Sequence, residues 1–288
     1  MSKSTKRRTH VPEAAPTDWT NLEYLRRSWS RVHHTDREPW PDEALIKRMA
    51  ARHPAVASWV ESQKDAATAA VALQKAWGMF HAGDFAKAIE AGSHLGPLGA
   101  VVASKAAAID TLYAKHTQAQ VLKILDAAGK RGEEAVRVLD DHANAHYTLA
   151  LVLGRYSQRI SILAALAEGL GGRVRRHLER AVELEPRHAE AHLALGLYHA
   201  EIVAKLGSVV ASLTYGASRE GAAEHFEHAL KLAPASPIVL MEFANGLLLL
   251  DKAANEKRAL ALYEKAGACE PLDEMERLDV ARARRGLE

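Results

Sequence analysis

Apolar side chains recur at three- and four-residue intervals along almost the whole chain, and nowhere do several β-branched or aromatic runs alternate with period two. The pattern predicts an essentially all-α protein. From Asp18, a suitable N-cap, Trp19, Leu22, Leu25 and Trp29 fall at helical spacing. Pro39 and Pro41 interrupt them. Pro41 followed by Asp42 and Glu43 makes a good first turn for a second helix through Met49, because proline lacks only an N–H that would be orphaned there, and Pro54 ends it. One alanine-rich helix is expected from Ala55 to about His81, then a turn at Gly83-Asp84 and a short helix over Phe85–Glu90. The cluster Gly92, Gly96, Pro97 and Gly99 reads as a loop, Val101–Lys115 and Gln118–Ala128 as helices, and Gly129 with Gly132 as a break before Glu133–Asp140. Residues 1–17 are polar, basic and punctuated by proline, and are expected to form a flexible tail.

The second half of the chain repeats itself. His142, Ala143, Ala145, His146, Leu149 and Leu151 recur 46 residues later as His188, Ala189, Ala191, His192, Leu195 and Leu197. His177, Glu179, Ala181, Leu184 and Pro186 recur 48 residues later as His225, Glu227, Ala229, Leu232 and Pro234. A more diverged unit sets Ala259, Tyr263, Ala266 and Pro271 where Ala222, Phe226, Ala229 and Pro234 stood. Three helical hairpins in tandem explain all of these matches.

Leu195-Gly196 and His199 in a first helix, with Ala222, Phe226, Ala229 and Pro234 in a second, resemble the tetratricopeptide repeat. The small residues permit close helix packing, Phe226 fills the groove between the helices, and Pro234 stops the second one. The resemblance implies tandem helical hairpins in a right-handed solenoid over 142–288, preceded by a helical region over 18–141 with a degraded unit near 76–92. Spacing departs from the usual repeat: Ala150 to Val174 spans 24 residues and Gly196 to Ala222 spans 26, where 12 is standard. The inserted stretches, Ser157–Gly171 and Ile202–Gly216, are apolar, so the first helix of each hairpin is expected to be elongated and to overhang the array. That layout is similar to the regulator of microtubule dynamics family and to the tetratricopeptide subunit of bacterial tripartite periplasmic transporters.

In the repeat family the concave face of the first helices binds partners. The corresponding positions here are Asn144, Tyr147, Leu151 and Arg155, then Glu190, Leu193, Leu197 and Glu201, then Met241 and Asn245. This line is mostly apolar with polar ends, which suits an amphipathic helix or an extended peptide. The rival expectation is that the inserts or the amino-terminal helices already fill it.

Charge narrows the partners. Lys plus Arg is 38 against 36 for Asp plus Glu, a net +2, too balanced for a dedicated nucleic-acid binder. Lys3, Lys6, Arg7 and Arg8 are followed by no apolar run of the kind a secretory signal carries. The longest uncharged stretch, Ala91–Ser104, has 14 residues, too few to span a membrane. A single cysteine, Cys269, cannot close an internal disulfide. A cytoplasmic protein, with homo-oligomers allowed, is expected.

Catalytic chemistry finds no foothold. His142 with His146, and His188 with His192 and His199, share helical faces as metal ligands often do, but repeat register explains them as packing residues. His225 and His228 flank Glu227 at i, i+3, which is not the HExxH spacing, and Gly169-Leu170-Gly171-Gly172 lacks the Lys-Ser/Thr pair of a phosphate loop. The pairs Asp140/Asp141 and Glu183/Glu185 are read as solvated ion-pair partners. No catalytic residue, metal or cofactor is therefore assigned. The expected protein is a non-enzymatic scaffold holding a helix or peptide in its groove. The alternative is a carrier or transport-accessory protein with an apolar cavity between its elongated helices.

Overall fold

The computed structural model describes residues 18–287, and the tail expected over 1–17 lies outside them. Among the described residues there are sixteen helices and no strand. α1 (Leu22–Val32) starts three residues later than expected. Asp18 instead accepts from the Thr20 N–H and hydroxyl, and Asn21 caps the helix through Glu23 N–H and Tyr24 N–H. α2 (Glu43–Arg52) is capped by Asp42 as its Pro-Asp-Glu start predicts. Pro54 does not merely end it but opens α3 (Pro54–Ser62), and the alanine-rich stretch divides at Asp65, whose carboxylate caps α4 (Ala66–His81).

From α4 onward the helices pack as hairpins. α4 pairs with α5 (Phe85–Ser93), and α6 (Gly96–Tyr113) with α7 (Gln118–Val138). The loop expected at the Gly92–Gly99 cluster shrinks to a turn ending at Gly96, whose φ is +55°, while Gly92, Gly99 and Gly132 serve close contact. A Cβ on Gly99 would lie 2.1 Å from the Gly92 carbonyl oxygen, so α5 and α6 cross backbone to backbone. Gly132 sits against Leu149 of the next hairpin, and α7 runs straight through it. The three repeated units follow: α8 (Ala143–Ser157) with α10 (Leu170–Leu184), α11 (Ala189–Leu206) with α13 (Arg219–Leu232), and α14 (Pro237–Leu250) with α15 (Lys252–Ala268). The inserts are short separate helices, α9 (Ile162–Ala167) and α12 (Ser208–Tyr215). Only α11 is prolonged, to Leu206; α8 stops at Ser157, and Ser161 caps a new helix.

α16 (Glu274–Arg285) covers the last hairpin and also touches α4. His81 of α4 donates from Nδ1 to Asp273, the N-cap of α16, at 2.7 Å. The row of first helices thus curls until its two ends meet. α6 is buried on every side from Leu98 to Thr111, which explains why its apolar residues follow no stripe. Trp29, Trp40, Trp77, Phe80, His33 and His81 pack mostly edge to face where α1 meets α4, with Trp77 and His81 stacked.

Candidate partner-binding groove

The turn between α1 and α2 enters the space enclosed by the curled array. Trp29 donates its indole N–H to the Glu38 carbonyl at 2.7 Å, and Gln74 donates to the Pro41 carbonyl at 2.8 Å, which fixes the turn at both ends. Between them, Asp36 takes an ion pair from Lys105 of α6 at 2.6 Å and a hydrogen bond from His33 Nδ1 at 2.8 Å. Asn144 of α8 donates to the Asp36 carbonyl at 2.9 Å and to the Glu38 carboxyl at 2.7 Å, and accepts from His188 Nε2 at 2.8 Å. Glu190 of α11 accepts from the Thr35 hydroxyl at 2.5 Å, from Tyr147 at 2.8 Å and from Lys105 at 3.2 Å.

Burial and charge set the protonation of this network. Burial alone would raise the Asp36 carboxyl, but His33 and Lys105 beside it hold it well below its ordinary value. Burial, with Asp36 nearby, pushes Glu38 up to about 8, so near neutral pH it carries a proton. Burial lowers His188 to about 4 and keeps it neutral, which suits an Nε2–H given to Asn144 and an Nδ1 that accepts from Ala191 N–H. Thr35, Asp36, Glu38, Lys105, Asn144, Tyr147, His188 and Glu190 are all engaged with one another, so this end of the groove is occupied by the chain itself.

Beyond Tyr147 and Glu190 the groove is open. A cavity of about 270 Å³ lies between α8, α11 and α14, walled by Leu151, Leu193, Leu197 and Ile238 and roofed by the inserts through Ile162, Leu166 and Tyr215. Its inner end is closed by the Tyr147–Glu190 pair. At the mouth, Glu201 is held by Gln158 at 2.6 Å and Lys205 at 3.0 Å. The Arg155 guanidinium borders the same cavity and, among the described residues, has no ion-pair partner. Leu163 of α9 and Val209 and Leu213 of α12 project into solvent from the inserts, 78%, 73% and 85% exposed.

The ten groove residues read from the repeat therefore divide. Leu151, Arg155, Leu193, Leu197, Glu201 and Asn245 line the open cavity; Tyr147 and Glu190 close its end; Asn144 lies behind them, engaged with the turn; Met241 is buried in the core between hairpins. Sequence reasoning misses Thr35, Asp36, Glu38 and Lys105, because a polar turn just before two prolines carries no periodicity and a lone lysine in an apolar helix gives no hint of its partners. The apolar inserts are the one available sign of the roof.

A closed row of antiparallel hairpins with its first helices lining a groove defines a tetratricopeptide-like helical array. Residues 100–285 match the family described as regulator of microtubule dynamics protein 1-3, one of the two layouts that the sequence resembles, and the chain belongs to that family. Among solved structures, the crystal structure of TTC0263, a thermophilic tetratricopeptide protein of Thermus thermophilus, superposes with a TM-score of 0.53 at 19% identity, covering 74% of this chain and 97% of that one. A human IFIT1 dimer with PPP-AAAA gives a TM-score of 0.40 at 17% identity, covering 73% of this chain and about half (51%) of its own. No curated protein sequence matches. No helix among the described residues is long and apolar enough to cross a membrane.

Proposed function

We propose that the protein is a non-enzymatic interaction module that seats one short amphipathic helix of a partner protein in the open part of its groove. The array fold supports a protein-interaction scaffold in general. The blind apolar cavity beside the unpaired Arg155 carries the finer reading. An extended peptide running along the concave face would collide with the Thr35–Glu38 turn, whereas a helix end entering between α9 and α12 meets Leu151, Leu193 and Leu197. Each leucine-sized side chain it buries there contributes about 1.5–3 kcal/mol. An acidic residue on that helix would pair with Arg155. The family name makes proteins of the microtubule cytoskeleton the first partners to try.

A second reading has its own observation. The cavity is roofed by the inserts as well as walled by the repeats, which also suits a small apolar ligand. Leu197→Glu places a charge in the wall without touching the buried network, so one variant addresses both readings. A protein captured by the parent chain and lost from Leu197→Glu supports the helix; an apolar molecule seen in native mass spectrometry of the parent and absent from the variant supports the ligand. Identical profiles for both chains, in both measurements, would sink the two readings together.

A further inference from the structure

The repeat histidines pair between the two helices of one hairpin rather than along a helix. His192 of α11 and His225 of α13 face each other through their Nδ1 atoms at 3.1 Å. His192 gives its Nε2–H to the Pro186 carbonyl at 3.1 Å, which fixes its tautomer and leaves Nδ1 as a lone pair aimed at His225. The rings now share an N–H···N hydrogen bond, and a ring anchored by a carbonyl on one nitrogen with its other lone pair free is oriented as a metal-ligating histidine is by its outer shell. Two nitrogens each about 2.1 Å from one ion stand roughly 3.0–3.4 Å apart. The exposed His228 lies one turn along α13, its ring centroid 4.2 Å from that of His192, within reach of a third ligand position by a side-chain rotation.

We propose that His192 and His225, with His228 as third ligand, form a site for a borderline transition-metal dication, Zn²⁺ first, that ties α11 to α13. Loading requires one internal change: the proton that His225 donates from Nδ1 moves to its own Nε2. The ring stays neutral and both Nδ1 lone pairs turn to the ion. No redox step is involved, and imidazole donors suit Zn²⁺, Ni²⁺ and Cu²⁺ alike.

The preceding repeat supplies an internal contrast. His146 and His177 repeat the geometry, with Nδ1 atoms 3.0 Å apart and His146 Nε2 donating to the Asp140 carbonyl at 3.1 Å. That pair has Arg173, Arg176 and Arg180 around it against a single carboxylate, Asp140, a net charge that opposes a dication, whereas Glu224 and Glu179 neighbour the His192–His225 pair. Matching geometry with surroundings of different net charge predicts one loaded site.

The test is calorimetric titration of the tag-free full chain with ZnCl₂, paired with thermal melts in Zn²⁺ and in EDTA. One equivalent should bind and raise the melting temperature. His192→Ala or His225→Ala should weaken binding by at least about tenfold, His228→Ala by less, and His146→Ala not at all. Unchanged melting in EDTA shows that each variant is folded. No binding to the parent chain overturns the site. So does binding that survives both His192→Ala and His225→Ala, or that is lost instead with Asp141→Asn, which would move the ion to the His53, Asp140 and Asp141 group.

Discussion

Lys105 and Asp36 lie 69 residues apart in sequence and form an ion pair of 2.6 Å inside the ring of helices, where both side chains are almost fully buried. Glu190 completes the lysine's coordination from α11, so one ammonium joins the amino-terminal turn, the central helix and the second repeat. The attraction between two buried charges offsets their own desolvation at best, but removing one partner leaves the other stranded. Lys105→Met is therefore expected to cost about 3–5 kcal/mol in urea unfolding. Adding Asp36→Asn to it should cost less than the two single changes together. Additive losses would show that the pair is not coupled.

The titrations of the interior predict a stability profile with two limbs. Burial raises Glu38 and Glu276 to about 8 and Asp279 to about 7. A raised folded value means that the native state holds the proton, so this contribution is complete below the ordinary carboxylate range near 4, shrinks steadily above it and is gone above about pH 8. Burial lowers His142, His177, His188 and His192 to about 4, and theirs is complete above about 6.5 and lost as pH falls towards 4. Between about pH 4 and 6.5 the two contributions oppose each other and the melting temperature should change little; between about pH 6.5 and 8 the carboxylates act alone and it should fall. Glu38→Gln, which cannot ionise, should flatten the alkaline limb; an unaltered limb would contradict the protonated Glu38.

Phe226 stands between two glycines of different helices. A Cβ on Gly196 would come within 2.5 Å of its ring, and one on Gly246 within 2.1 Å. Both glycines therefore sit where added volume has nowhere to go. Gly196→Ala and Gly246→Ala should each destabilise by about 1–3 kcal/mol, the range for overpacking. A differential scan that finds either variant as stable as the parent would mean that the ring can shift.

That packing unit is legible in the sequence, since Gly196, Ala222, Phe226 and Ala229 state their own contacts through repetition. Repetition exposes whatever two units share, and it reveals the hairpins of α8, α11 and α14. It is blind to what occurs once. Gly92, Gly99, Gly129 and Gly132 read as breaks because glycine signals a turn and a close helix crossing equally well from sequence. The Thr35–Glu38 turn is invisible for a deeper reason. Its meaning lies in Lys105, Asn144 and Glu190, each placed by a different helix, and no local pattern announces that they converge. The groove is thus legible along its wall and hidden at its stopper.

The exposed leucines of the inserts separate stability from function. Leu163 and Leu213 are 78% and 85% exposed, so replacing either with serine removes almost no buried area, and the expected change in unfolding free energy is within about 0.5 kcal/mol. Apolar side chains flanking the mouth of an apolar cavity have a reason to be there only if something covers them. The double substitution Leu163→Ser with Leu213→Ser should therefore leave the melting temperature unmoved and weaken capture of a helical partner, while Arg155→Glu should select against partners with an acidic helix. If capture by the double variant equals that of the parent chain, the partner does not touch the roof. The helix would then have to enter from α14, past Asn245 and Leu249, where the cavity wall carries no insert.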